Sequence, residues 1–266
     1  MKDIYLSENQ FDPGFGITVM KEVMGFRYGD DTFGPTPELR SLEAIRKSLL
    51  DPECKGPDPV YAIAMDVGKI QHRQILQEKM LLYGVVAYAA GKLGEEPVRS
   101  QGHIHRVSKH SGWPPPELYE IWSGRAIIYM QENADDDPGR CFAVTAEPGE
   151  LVLVPPGWAH CTISADPQRA LVFGAWCDRE YGFEYEQVRA HHGLAWYPVW
   201  RNGHIVWFKN PRYQEGKLIK KSPEKYDSFG IKDGIPIYTQ FEQDFEIMQF
   251  ISDPVIKEEQ WKGFIP

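Results

Sequence analysis

The chain has 266 residues, 42% of them apolar and 25% charged, with a formal net charge of −9, which suits one large soluble domain with extensions. The acidic balance speaks against a nucleic-acid partner, because binding a phosphate backbone needs clustered cations. No apolar run approaches the roughly 18 residues of a membrane span, and the opening MKDIYLSENQ has no apolar signal core, so a cytoplasmic protein is expected. Cys54, Cys141, Cys161 and Cys177 show no CxxC spacing, so reduced thiols are expected, with Cys161 and Cys177 as small apolar fillers of core strands.

Residues 1–35 show no periodicity and read as an irregular N-terminal arm. Thr36-Pro37 offers an N-cap and a first-turn proline, and Leu39, Leu42, Ile45 and Leu49 recur at helical spacing, which predicts a helix ending at Leu50 before Asp51-Pro52. From Val60 the pattern becomes β. Val60–Val67 and Lys79–Ala89 read as strands, the second apolar on both faces and therefore buried. Glu117–Trp122 and Arg125–Gln131 read as a hairpin around Ser123-Gly124. The segment 132–140, with Asp135, Asp136 and Asp137, lacks the fixed ligand ladder of a calcium loop and reads as a solvated tip.

Cys141–Ala146, Leu151–Val154, His160–Ser164 and Ala170–Trp176 continue as short strands between turns, the rhythm of an all-β sandwich or barrel. Asn202-Gly203 predicts a tight hairpin between Leu194–Val199 and His204–Lys209. After Pro211, Lys217, Lys220, Lys221 and Lys225 mark an exposed connector. Thr239-x-x-Glu242 resembles a capping box ahead of Phe241, Phe245, Met248 and Ile251, which predicts a C-terminal helix. The organisation expected is an arm over 1–35, a β-domain with an initial helix over 36–213, and an extension over 214–266 packed on the barrel or on a second subunit.

The sharpest chemical signal is His103-x-His105. Side chains two apart on a strand share a face, so both imidazoles point the same way. With Glu117 and His160 they make a mixed nitrogen and oxygen donor set suited to a divalent transition metal. Tyr119 shares the side of Glu117, whereas Leu118 and Glu120 point away and Glu120 should face out. Thr162 and Ser164 share the face of His160. His110 reads as a surface-loop residue. His191 and His192, being adjacent, point to opposite faces and read as packing. Trp158, Trp176, Trp196, Trp200 and Trp207 read as core and hairpin packing, and Trp113 as a cap over the site or a subunit contact.

Taken together, His103-x-His105, Glu117, Gly124, Gly149, Pro155-x-Gly157 and His160, with Ser164 in place of the usual asparagine, resemble the paired motifs of the cupin superfamily. The resemblance implies an all-β cupin double-stranded β-helix, or jelly roll, with helical or irregular extensions at both ends. Gly102–His105, Pro116–Tyr119, Glu147-Pro148-Gly149, Val154–His160, Glu180-Tyr181-Gly182 and Asn210-Pro211-Arg212-Tyr213 are similar more narrowly to the cupin-type glucose-6-phosphate isomerases, over residues 35–213. That resemblance implies an aldose–ketose isomerase acting on a small sugar phosphate, as a homodimer.

It further implies one divalent metal ion per chain on His103, His105, Glu117 and His160. Fe²⁺ or Mn²⁺ is favoured, and Zn²⁺ and Ni²⁺ also suit the donors. Glu117 would be the catalytic base with Tyr119 beside it, and Ser100, Gly102, Arg179 and Tyr181 would meet the phosphate. The chain departs from the family at Val86, where a hydroxyl residue is usual, and at Arg179, where a histidine is usual. Proton transfer through an enediolate and a direct hydride shift both remain open. So do two other classes, a cupin dioxygenase or decarboxylase and a non-catalytic sugar-binding cupin.

Overall fold

Every residue of the Leu81–Tyr88 strand is buried, because both of its faces meet apolar layers. The computed structural model describes residues 11–20 and 24–266; residues 1–10 and 21–23 of the expected arm lie outside the described residues. The central strand lies inside a six-stranded antiparallel sheet. Its order is Leu151–Val154, Glu117–Ser123, Val172–Asp178, Leu81–Tyr88, Tyr61–Met65 and Glu38–Arg40. A second sheet runs Ala159–Ser164, Ala126–Gln131, Cys141–Ala146 and Leu218–Lys221.

The two inner faces meet in a jelly-roll interior, where Tyr119, Ile121, Phe173 and Ala175 face Ile128, Met130, Phe142 and Val144. Alternation sends the intervening residues outward, and both outer faces are covered as well. Tyr83, Trp122 and Trp176 of the first sheet lie under Ile237, Tyr238 and Phe241 of the C-terminal extension, with Phe15 from the N-terminal side. Tyr129, Ala143 and Cys161 of the second sheet lie under Val188, Leu194 and Tyr213. The inner strands of both sheets therefore have two dry faces, which explains their near-continuous apolar sequence, whereas the edge strands Glu38–Arg40 and Leu218–Lys221 stay largely exposed. All four cysteines are buried free thiols. No described helix is long and apolar enough to cross a membrane.

Asn202 and Gly203, both at positive φ, turn the antiparallel hairpin of Trp196–Arg201 and His204–Lys209 as predicted. Four local expectations are corrected. The predicted 36–50 helix is instead the edge strand Glu38–Arg40 followed by a loop with one 3₁₀ turn at Arg46–Ser48. Sheet pairing to Tyr61, Ala62 and Ile63 takes the first residues. Arg46 Nη1 then donates to the carbonyls of Pro52 and Cys54 and folds the loop back, burying Leu42, Ile45 and Leu49 while Leu39 stays half exposed.

Glu117–Ser123 and Ala126–Gln131 are not a hairpin. The chain crosses from one sheet to the other at Gly124, whose φ of +77° and 2.8 Å approach of a would-be Cβ to the Ala170 carbonyl demand glycine. The lysine-rich connector contains a strand, Leu218–Lys221, that pairs in parallel with Cys141–Val144.

The C-terminal helix begins at Ile237 behind Pro236, so Thr239 lies within it and caps nothing. Its first N–H is satisfied from another strand: Ile237 N–H donates to Glu120 Oε1 at 2.7 Å, while Trp122 Nε1–H donates to Glu120 Oε2 at 3.1 Å. Glu120 thus points away from the interior but is fully buried, because the extension covers it. Burial pushes its pKa up to about 8 against the pull of those hydrogen bonds.

A raised carboxyl pKa means that the folded chain binds more protons than the unfolded one. Stability from this group is therefore full below the ordinary value of 4.5 and declines as pH rises through about 8. Glu120→Gln should flatten that decline. Melting temperatures of the two proteins taken between about pH 5 and 9 check it, and parallel curves would refute it.

Candidate metal centre

Four side chains from separate segments converge at one end of the jelly-roll interior. Ile104–His105 is a two-residue strand paired with Phe183–Glu184. His103 is tied to His160 by reciprocal backbone bonds, His103 N–H to His160 O at 3.0 Å and His160 N–H to His103 O at 2.9 Å. Glu117 opens its strand directly after Pro114-Pro115-Pro116, and His160 follows the turn at Gly157. One potential ligand atom from each of His103, His105, Glu117 and His160 lies within 4.8 Å of all the others. Glu117 Oε2 is 3.3 Å from His105 Nε2 and 3.2 Å from His160 Nε2.

The tautomers are set by the backbone. His105 Nδ1–H donates to Pro115 O at 2.9 Å and His160 Nδ1–H to Trp158 O at 3.0 Å, so both Nε2 lone pairs point to the centre. His103 Nε2 and His105 Nε2 are buried and make no hydrogen bond. Orphaned buried nitrogens are costly unless something fills the space between them.

Burial, reinforced by the nearby His160 and His105, holds His103 well below the usual imidazole range, as a neutral ligand should be. Burial alone would raise Glu117, but the close approach of the His105 and His160 rings outweighs it and holds the carboxyl well below its usual range. Three imidazole nitrogens and one ionised carboxylate make a donor set that fits a divalent cation.

Tyr119 O–H donates to Glu117 Oε2 at 2.6 Å, which confirms the shared face. Cys177 S–H donates to Glu117 Oε1 at 3.3 Å. Above the centre is a cavity lined by Ser100, Gln101, Thr162 and Val86, with aromatic walls from Tyr61, Phe173, Phe183 and Tyr185. Ser100 Oγ accepts the Thr162 N–H at 3.1 Å.

The other three expected phosphate residues do not line this cavity. Gly102, at φ +90°, gives its open side to Leu194, whose Cδ1 would lie 2.9 Å from an added Cβ. Arg179 Nη2 is bound to Asp66 Oδ1 at 2.7 Å. Tyr181 is partly exposed and packs on Phe183 with ring centroids 5.5 Å apart.

His110 lies in the loop between His105 and Glu117, and its N–H donates to Glu180 Oε2 at 2.9 Å. Arg106 adds an ion pair to Glu184 at 2.7 Å, so that loop is tied to the segment carrying Phe183. His191 bonds Asp136 and stacks on Tyr213, away from the centre. Arg40, Tyr61, Cys177 and Tyr185 line the site and have no role in it from sequence, where Arg40-Ser41-Leu42 counts only as part of the family resemblance and Cys177 only as a core filler. Period-two alternation along Val172–Asp178 was the available signal for Cys177, since it shares a face with Phe173 and Ala175.

Residues 38–215 match a family model described as "Glucose-6-phosphate isomerase (GPI)". A protein of Thermococcus litoralis named "Glucose-6-phosphate isomerase" is 28% identical over 178 residues, which is 66% of this chain and 87% of that protein. The protein of the same name from Pyrococcus abyssi is 26% identical over 202 residues, 73% of this chain and 98% of the relative. A solved oxalate oxidase overlaps at a TM-score of 0.35 and 14% identity, covering 47% of this chain and 54% of the other, too slight a likeness to carry weight. The match over residues 38–215 takes in every jelly-roll strand except Leu218–Lys221 and all four residues of the buried centre, and the chain belongs to the cupin-type glucose-6-phosphate isomerase family.

Proposed function

We propose that the protein is a metal-dependent aldose–ketose isomerase interconverting glucose 6-phosphate and fructose 6-phosphate. The observation that carries this reading is the pair of buried, unsatisfied nitrogens, His103 Nε2 and His105 Nε2, facing Glu117 and His160 beneath a cavity in a chain of this family. The four residues would hold the ion. We assign Fe²⁺ or Mn²⁺, ions that accept six donors, two more than the protein offers here. When bound, the ion supplies positive charge that stabilises negative charge developing on the substrate oxygens.

The protein's own groups then have distinct tasks. Glu117, ionised, is the base that takes the proton from C2 of the open-chain aldose and returns it to C1, while the hydroxyl proton of O2 passes to O1. Burial and the Glu117 charge keep the Tyr119 hydroxyl protonated, so it remains a donor that orients Oε2. Cys177 does the same for Oε1, its thiol held protonated by burial. Phe183, whose ring centroid is 4.5 Å from that of His103, shields the centre from water. The working unit we propose is a homodimer, which sedimentation would show.

A coupled fructose 6-phosphate to glucose 6-phosphate assay tests the reading. Chelated protein should be inactive and remetallation with Fe²⁺ or Mn²⁺ should restore turnover. Inactivity with those ions and with Zn²⁺ and Ni²⁺ would reject the substrate assignment. In D₂O the same assay should place deuterium at C2 of glucose 6-phosphate. Complete retention of the substrate hydrogen would remove Glu117 as the base and assign the transfer to a direct C1–C2 shift.

A further inference from the structure

We infer that Arg40 is the cation that recognises the substrate phosphate, so that the anion end of the cavity is the corner formed by Arg40, Tyr61 and Tyr185. The inference rests on the sugar-phosphate reading above and adds to it a residue and a place.

Arg40 ends the edge strand Glu38–Arg40 and stands in register with Tyr61, which in turn stands in register with Tyr88. All three side chains line the cavity, and among its described lining residues Arg40 is the one lysine or arginine. Its guanidinium carbon lies 6.0 Å from the centroid of the Tyr61 ring. Glu117 already gives the cavity a negative charge, and a doubly charged phosphate entering it needs a counter-charge.

The state of the guanidinium favours such a guest. Arg40 Nε is buried without a hydrogen-bond partner. Its ion pair is from Nη2 to Glu38 Oε1 at 2.8 Å, and the Glu38 side chain is 65% exposed. Such a solvated carboxylate contributes little to stability and is easily exchanged for a better anion. The planar fork of an arginine matches two phosphate oxygens at once, and Nε is one tine of that fork.

The alternative cation is placed elsewhere. Arg179 likewise has one ion pair, to Asp66, and a buried Nε without a partner, but it lies outside the cavity lining. Arg40 also lines the same cavity as His103 and Glu117 of the metal centre. One cavity thus carries both a cation, Arg40, and two members of the metal-ligand cluster, His103 and Glu117, the pairing needed by a substrate with a phosphate on one terminus and a carbonyl on the other.

The test uses metal-loaded full-length protein and three variants, Arg40→Lys, Arg40→Met and Glu38→Gln. Two readouts are taken, steady-state kinetics with fructose 6-phosphate and calorimetric titration with inorganic phosphate. Arg40→Met should raise KM by about 100-fold with kcat changed less than about threefold, the signature of lost uniform binding. Arg40→Lys, which keeps charge without the fork, should fall between, at about tenfold. Glu38→Gln should lower KM, because it removes the competing carboxylate.

Phosphate affinity should move in the same order. A KM for Arg40→Met within twofold of wild type would overturn the inference and leave the isomerase reading standing. If the wild type shows no isomerase activity, that reading fails separately and the titration still decides, with equal phosphate binding by wild type and Arg40→Met, or none by wild type, overturning the role of Arg40. If Arg40→Met does not fold, Arg40→Lys and Glu38→Gln decide by their opposite signs.

Discussion

His160→Ala is expected to abolish both metal retention and turnover. The imidazole is buried, its Nδ1–H is fixed on Trp158 O and its Nε2 faces Glu117 Oε2 at 3.2 Å, so nothing nearby can replace the lost donor. Alanine keeps the backbone bridge to His103, which confines the damage to the centre. Losing one ligand and the charge stabilisation it supports should lower kcat/KM by at least about 1000-fold. Elemental analysis after dialysis should find far less than one ion per chain. A variant that keeps a full complement of metal and normal turnover would mean that His160 is not a ligand.

The other large effect is on stability. Phe241→Ala should cost about 4 kcal/mol, the usual range for emptying a buried aromatic site. Phe241 is fully buried, with its ring centroid 4.8 Å from Trp176 and 5.9 Å from Tyr238. On a domain of this size that loss should lower the melting temperature by roughly 10 °C. Kinetics well below the transition should stay within about twofold of wild type, because Phe241 packs on the outer face of the strand whose inner face carries Ala175 and Cys177. An unchanged melting temperature would show that the extension is only loosely laid on the sheet.

The convergence of His103, His105, Glu117 and His160 was legible in the sequence because it depends on strand periodicity and on short turns. His103-x-His105 must share a face, and Glu117 and His160 each follow a proline-containing turn that starts a strand. The fold class was legible for the same reason. What failed were features that local pattern cannot distinguish. Ser123-Gly124 reads alike whether it turns a hairpin or carries the chain to the opposite sheet, and only the competing partners of both strands decide.

The Leu42, Ile45 and Leu49 spacing that suggested a helix serves a loop pinned by Arg46, a long-range choice invisible in periodicity. Glu120 was placed correctly on the outer face. That this face is dry follows from residues more than a hundred positions later. Arg40 belongs to a stretch that shares the family resemblance but reads as helix, and its place in the cavity follows only from the edge strand that the segment forms.

The cover over Trp122 and Trp176 also has a consequence for biogenesis. Those indoles belong to strands ending by residue 178, whereas Ile237, Tyr238 and Phe241 arrive about sixty residues later. At typical elongation rates of about 5–20 residues per second, the greasy back of the finished sheet waits several seconds on the ribosome before its lid emerges. The catalytic basin, made entirely from earlier residues, can close in that interval, so the nascent chain passes through a stage with its chemistry assembled and a bare aromatic flank that invites chaperone capture.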